Sequence, residues 1–81
     1  MNNDIVVGQI YQHYSGKEYR VLGFSRHSET LEEMVIYQGL YDCPQFGPNP
    51  IWVRPKGMFA ERLVIGGVEM PRFKAKPGQA I

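Results

Sequence analysis

Almost nothing in this sequence can hold a fold together covalently. One cysteine, Cys43, stands among 81 residues. No disulfide can therefore close within the chain, and a lone thiol suits a reducing compartment. A zinc knuckle built on cysteines is excluded for the same reason. A surplus of one charge is also missing. Nine Lys and Arg meet eight Asp and Glu, for a formal net charge of +1. That is not the footprint of a protein held to nucleic acid by phosphate contacts alone, although a local basic patch is compatible with it. No apolar run approaches the ~20 residues of a membrane span. The stretch "MNNDIVVGQI" lacks a basic region followed by a long apolar run, so no signal peptide is expected and the cytoplasm is the default location. Phosphate loops of the Gly-x-x-x-x-Gly-Lys and Gly-x-Gly-x-x-Gly kinds are absent, and so is a Gly-x-Ser-x-Gly nucleophile elbow. There is no repeat and no low-complexity segment.

What is present reads as one small, mainly β domain over residues 1–73, with 74–81 ("KAKPGQAI") expected to fray. A domain of this length hides only ~60–65% of its unfolded surface, so its core is thin. "GQIYQHY" (8–14) alternates with period two, "SGK" (15–17) supplies a turn, and "EYRVLGFSRH" (18–27) follows, which predicts a β-hairpin. Gly23 interrupts the second strand and predicts a bend or bulge. "MVIYQGLY" (34–41) reads as a strand buried on much of both faces, with a bend at Gly39. "DCPQFGPNP" (42–50) holds three prolines and a glycine and is expected to be irregular. "IWVRP" (51–55) is a short strand, and Pro55 can open a helical turn in "KGMFAERL". Gly66-Gly67 fits a two-residue hairpin turn between "RLVI" and "VEMPRF". About five short strands with one or two helical turns predict a small barrel, SH3-like first and OB-like second.

The densest polar stretch is "SRHSETLEEM" (25–34). Thr30 and Glu33 stand at capping-box spacing, which predicts a helical turn over Leu31–Met34 with Thr30 as its cap. Alternation puts Ser25 and His27 on one face and Phe24 and Arg26 on the other. Phe24 is expected to point inward, so Arg26 should meet a carboxylate within the chain. Two readings compete. A charged connector needs no function beyond solvation. A ligand site is equally compatible, because arginine, histidine, serine and threonine supply donors suited to carboxylate or phosphate. Catalysis is the weakest reading: Ser25 shares a face with His27, but a serine nucleophile also needs an oriented third group, and neither serine stands in a nucleophile elbow. A metal site would have to draw on His13, His27, Glu29 and Cys43, which lack ligand spacing. No metal or other cofactor is expected.

The second constellation is aromatic. Five tyrosines, one tryptophan and four phenylalanines stand in the chain. Most of the phenylalanines are expected in the core. Tyrosine and tryptophan each bring a polar tip that wants a partner, so some should line a cleft. Trp52 and Arg54 share a strand face and could form an aromatic and cationic wall, of the kind that receives peptides, bases or cations. The alternative is that Trp52 simply caps a thin barrel.

The stretches "GQIYQHYSGKEYRVLG", "RHSETLEEMVIYQGLY", "IWVRPKGMF" and "MPRF" together resemble a bacterial domain family of unknown function, the one numbered 1653. The likeness covers roughly residues 8–73 and departs at "DCPQFGPNP", where the family has a shorter segment. The resemblance implies a compact bacterial domain, either free-standing or fused. It supplies no substrate and no catalytic residue. The positions that match its motifs are Arg26, His27, Ser28, Glu29, Thr30, Trp52, Arg54 and Pro55. All but Pro55 are taken as candidate ligand-binding residues. The expected function is a non-catalytic binding module for an anionic or aromatic ligand: a nucleotide, a nucleic acid segment or a partner peptide. The alternatives are a small hydrolase-like enzyme using His27 or Glu29 as general acid or base, and a purely structural interaction domain. The ligand-site reading expects Arg26, His27, Trp52 and Arg54 to converge on one concave surface, and Arg26 and Trp52 on opposite faces of the barrel with no shared cleft would remove it.

Overall fold

The computed structural model describes residues 5–76. The chain begins with β1 (Ile10–His13) and β2 (Glu18–Arg26), joined by the predicted hairpin turn. Gly16 takes φ +108°, a conformation that favours glycine, and its N–H donates to the His13 carbonyl at 2.8 Å. β3 (Glu33–Gly39) returns antiparallel to β2. The ladder slips between Val21 and Gly23, so Leu22 is an extra residue and the bulge lies where Gly23 announced it. β4 (Asp42–Cys43) and β5 (Gly47–Pro48) form a minute hairpin inside the proline-rich segment expected to be irregular. Gly47 permits it with φ +85°. β6 (Ile51–Pro55) then pairs with β3, and Pro55 leads into the single helical turn α1 (Lys56–Phe59).

β7 (Arg62–Ile65) and β8 (Val68–Pro71) make the last hairpin. Gly66 and Gly67 both have positive φ, at 60° and 82°, the geometry that a tight two-residue turn demands. β9 (Phe73–Ala75) closes the described chain against β1. Lys74 and Ala75 are therefore strand residues, so the expected tail begins too early. Residues 77–81 lie outside the described residues.

Five strands form one antiparallel sheet in the order β6-β3-β2-β1-β9. The two edges, β6 and β9, are not paired with each other. They still meet across the inner face, where the Arg54 guanidinium lies 5.7 Å from the centre of the Phe73 ring. The sheet is thus strongly curved, and its inner face is filled by side chains. Tyr11, Val21, Val35, Tyr37 and Phe73 are buried there, and Phe59 descends from α1 to cover them. Phe59 stacks on Phe73 with ring centres 4.1 Å apart and meets Tyr11 and Tyr37 edge-on. Along β3 burial alternates. Val35, Tyr37 and Gly39 are buried and their neighbours half-buried, so β3 does not run buried on both faces as its composition suggests. Of the four phenylalanines only Phe59 and Phe73 are buried. Phe24 sits opposite Val35 on the inner face but is 39% exposed, with the Lys56 ammonium of α1 lying 5.7 Å from the centre of its ring.

Candidate functional site

The segment after β2 builds a closed loop with its own polar groups. His27 N–H donates to the Glu32 carbonyl and Leu31 N–H to the His27 carbonyl, both at 2.8 Å. The His27 ring Nδ1 accepts two backbone N–H groups, from Glu29 at 3.1 Å and Thr30 at 3.3 Å. Thr30 Oγ1 accepts the Glu32 N–H at 3.2 Å. Leu31 adopts φ 64°, so no helical turn forms over 31–34, and Glu33 begins β3 instead of serving a capping box. The chain must reverse between Arg26 and Glu33, which stand opposite each other, and a helix would overshoot that span. Histidine, not threonine, is the principal acceptor of the turn.

Arg26 does not meet a carboxylate. Its Nη1 donates to the Leu31 carbonyl at 2.7 Å. Ser28 and Glu29 are exposed, with no side-chain hydrogen bond among the described residues. Since a backbone N–H can only donate, His27 Nδ1 must be the unprotonated nitrogen, and Nε2 carries the proton. In this arrangement the ring offers no lone pair for general-base work.

Trp52 and Arg54 belong to a different neighbourhood. Both project from β6 onto the inner face, opposite Tyr37 and Val35. The Trp52 indole N–H donates to the Tyr41 hydroxyl at 3.2 Å, and that hydroxyl bonds Tyr19 Oη at 3.2 Å. Burial, reinforced by the Tyr41 hydrogen bond, holds the Tyr19 hydroxyl protonated well above the ordinary phenol range. Arg54 Nε donates to Tyr37 Oη at 3.2 Å. Phe46 meets Trp52 edge-on, with ring centres 5.7 Å apart. Lys17 Nζ lies 4.9 Å from the centre of the Tyr41 ring. The result is a wall of aromatic rings with phenol and indole tips and two cations.

The ion pairs among the described residues join Lys56 to Glu33, Arg62 to Glu69, Arg72 to Glu61 and Lys76 to Glu18. None engages Arg54 or Lys17. The guanidinium of Arg54 is partly buried and faces rings and a phenol without a compensating carboxylate.

Arg26 and Trp52 therefore share the inner side of the sheet but lie at different places along it. The register sets Arg26 opposite Glu33 and Trp52 opposite Tyr37, four residues further along β3. At the rise of a strand that is roughly 13 Å. The loop 26–30 is one cluster and the Trp52–Arg54 wall another. A separate open groove of about 330 Å³ is lined by Gln12, His13, Tyr14, Gly16, Met70, Pro71 and Lys74, and contains none of the seven candidate residues. Beside it His13 Nδ1 accepts the Ser15 N–H at 3.2 Å and contacts Ser15 Oγ at 2.8 Å. This is the geometry of a turn. The alternation of residues 8–14 and the turn at 15–17 signalled this hairpin, whereas nothing in the sequence marked Lys17 or Phe73 as neighbours of the Trp52–Arg54 wall. Among the described residues no three His, Cys, Asp or Glu side chains are grouped to hold a metal.

A small, curved antiparallel sheet with one covering turn and an aromatic, cationic inner wall defines the class of domain. The chain belongs to the family described as "Protein of unknown function (DUF1653)", whose model matches residues 9–75. It is similar to a protein of that family from Bordetella bronchiseptica known from a crystal structure. The two are 34% identical with a TM-score of 0.75, over 88% of this chain and 86% of that chain. No curated protein matches it significantly.

Proposed function

We propose that this domain is a non-catalytic binding module for an anionic or aromatic ligand, recognised chiefly by the Trp-Val-Arg-Pro strand. One observation carries the reading. Arg54 is a half-buried guanidinium with no carboxylate partner among the described residues, held against Phe73 and Tyr37. Removing a cation from water without pairing it is costly, and an incoming anion would offset that cost. Trp52, Tyr41 and Tyr19 supply ring surface beside it for an aromatic group. The Arg-His-Ser-Glu-Thr loop is the secondary contact. Arg26, His27 and Thr30 are occupied in closing it, so Ser28 and Glu29 are its available side chains.

The test is thermal denaturation with inorganic phosphate, a nucleoside triphosphate, a short single-stranded oligonucleotide and acidic peptides. A ligand at one hundred times its dissociation constant should add ~2.7 kcal/mol of stability. Arg54→Gln should abolish that gain, while His27→Ala should leave it. A stabilisation that survives Arg54→Gln, or no stabilisation by any class, removes the proposal.

A further inference from the structure

We infer that β6 is a docking edge for an extended peptide segment of a partner protein, an apolar strand carrying an acidic residue. The inference rests on the reading of the Trp52–Arg54 wall as a binding surface and names the ligand class.

β6 is an outer strand, laddered to β3 alone. The direction of its main-chain groups follows from its neighbour. Gly39 N–H donates across to the Pro50 carbonyl at 2.7 Å, while Leu40 N–H donates the other way, to Glu18 of β2, at 2.9 Å. Odd-numbered residues of β3 therefore face β6. Tyr37 is opposite Trp52 and Val35 opposite Arg54, so Trp52 and Arg54 direct their N–H and C=O groups to β3. Ile51 and Val53 direct theirs outward. Nothing among the described residues bonds to those outward groups. Pro55 ends the donor row, because proline has no N–H. A guest strand can thus exchange main-chain hydrogen bonds with both Ile51 and Val53.

The side chains alternate in the same register. Ile51 and Val53 are 62% and 56% exposed on the outer face, beside the half-buried Ile36. Trp52 and Arg54 lie on the inner face. A guest strand would set apolar residues beside the first row and an acidic residue beside Arg54. The charge argument selects the guest. "IWVRP" contains a cation and no acid. A second copy of β6 would bring arginine where a carboxylate is wanted, and a nucleic acid has no alternating N–H and C=O row to match the outward groups of the strand.

The experiment titrates the intact protein with the capped peptide Thr-Glu-Val-Tyr-Val, read by fluorescence anisotropy and by backbone amide NMR. Amide shifts should centre on Ile51 and Val53. N-methylation of the central valine should weaken binding about tenfold, the loss expected of one or two main-chain hydrogen bonds. Glu→Lys in the peptide should weaken it as well. Val53→Pro removes an outward N–H and leaves the β3 ladder whole, so it should act like the methylated peptide. Should that variant not fold, the methylated peptide puts the same question to the unaltered protein. No saturable binding, equal affinity for the methylated peptide, or shifts centred on the His13 groove would overturn the inference. A dimer in sedimentation that Val53→Pro dissociates would give the edge to a second copy instead. If a nucleotide or oligonucleotide binds in an Arg54-dependent way and the peptide does not, the wall reading stands and this inference falls. If nothing binds, both fall.

Discussion

His13 and His27 do the same local work in two different turns. Each ring accepts a backbone N–H from the residue two positions on through Nδ1, at 3.2 Å for His13 and 3.1 Å for His27. The side chain replaces a backbone carbonyl, as an asparagine does in a tight turn. For His13 the surroundings add a pH dependence. Burial first, then the positive charges of Arg54 and Arg72, pushes its pKa below the ordinary 6.5. Below that value the unfolded chain binds a proton that the folded protein resists. The stabilisation is therefore complete above the unfolded pKa and is lost as pH falls through the folded one. Thermal midpoints measured on either side of pH 6.5 should fall on the acid side. His13→Asn keeps a turn acceptor and removes the titration, so it should flatten that slope; an unchanged slope would assign it to other groups. For the second loop, His27→Ala removes an acceptor of two N–H groups and should cost about 1 kcal/mol. Thr30→Ala removes one exposed contact and should cost less. The reverse order in a urea melt would restore Thr30 as the principal cap.

At the scale of elements, β3 organises the domain, since β2 and β6 both pair with it. Its last residue, Gly39, has no unusual dihedral. Its requirement is space, because a Cβ built there would lie 2.6 Å from Tyr41 Cε2. The Tyr41 ring is not free to yield, as its hydroxyl is bonded to both Tyr19 and Trp52. Gly39→Ala should then cost about 1–3 kcal/mol, as overpacking does, and should also disturb Trp52 fluorescence. A variant with unaltered stability and emission would show that Tyr41 moves aside cheaply. These elements were largely legible in the sequence. Period-two alternation marked β1, the turn after it marked β2, and paired glycines marked the β7–β8 turn, because those signals are local. The loop 27–32 was misread because a capping box and a histidine-closed turn use similar residues. What separates them is the pairing of Arg26 with Glu33, which is not local. The candidate site was half legible. Alternation placed Trp52 and Arg54 on one face, but their distance from Arg26 depends on the offset of β6 along β3, which no spacing within one strand encodes.

Across the whole molecule, one short turn covers the inner face of a five-stranded sheet, and this makes the fold depend on a single side chain. Phe59 is 2% exposed and contacts rings from three strands: Tyr11 of β1, Tyr37 of β3 and Phe73 of β9. The other fully buried side chains, Val21 and Val35, belong to the sheet itself. A chain of this length is expected to be stable by roughly 4–12 kcal/mol. Truncating a buried phenylalanine to alanine costs about 3–5 kcal/mol, a quarter or more of that total. Each kcal/mol moves the thermal midpoint of a small domain by about 4–8 °C. Phe59→Ala should therefore lower the midpoint by at least about 12 °C, or abolish a cooperative transition altogether. Phe46→Ala is the matched control. Phe46 is 64% exposed and touches Trp52 edge-on, so its loss should cost no more than about 1.5 kcal/mol. A small shift for Phe59→Ala, comparable to that of Phe46→Ala, would mean that the curved sheet holds its shape without α1. The aromatic wall would then be shaped by β3 and β6 alone. A large shift makes α1 the element that keeps Phe73 and Tyr37 in place, and with them the rings against which Arg54 rests.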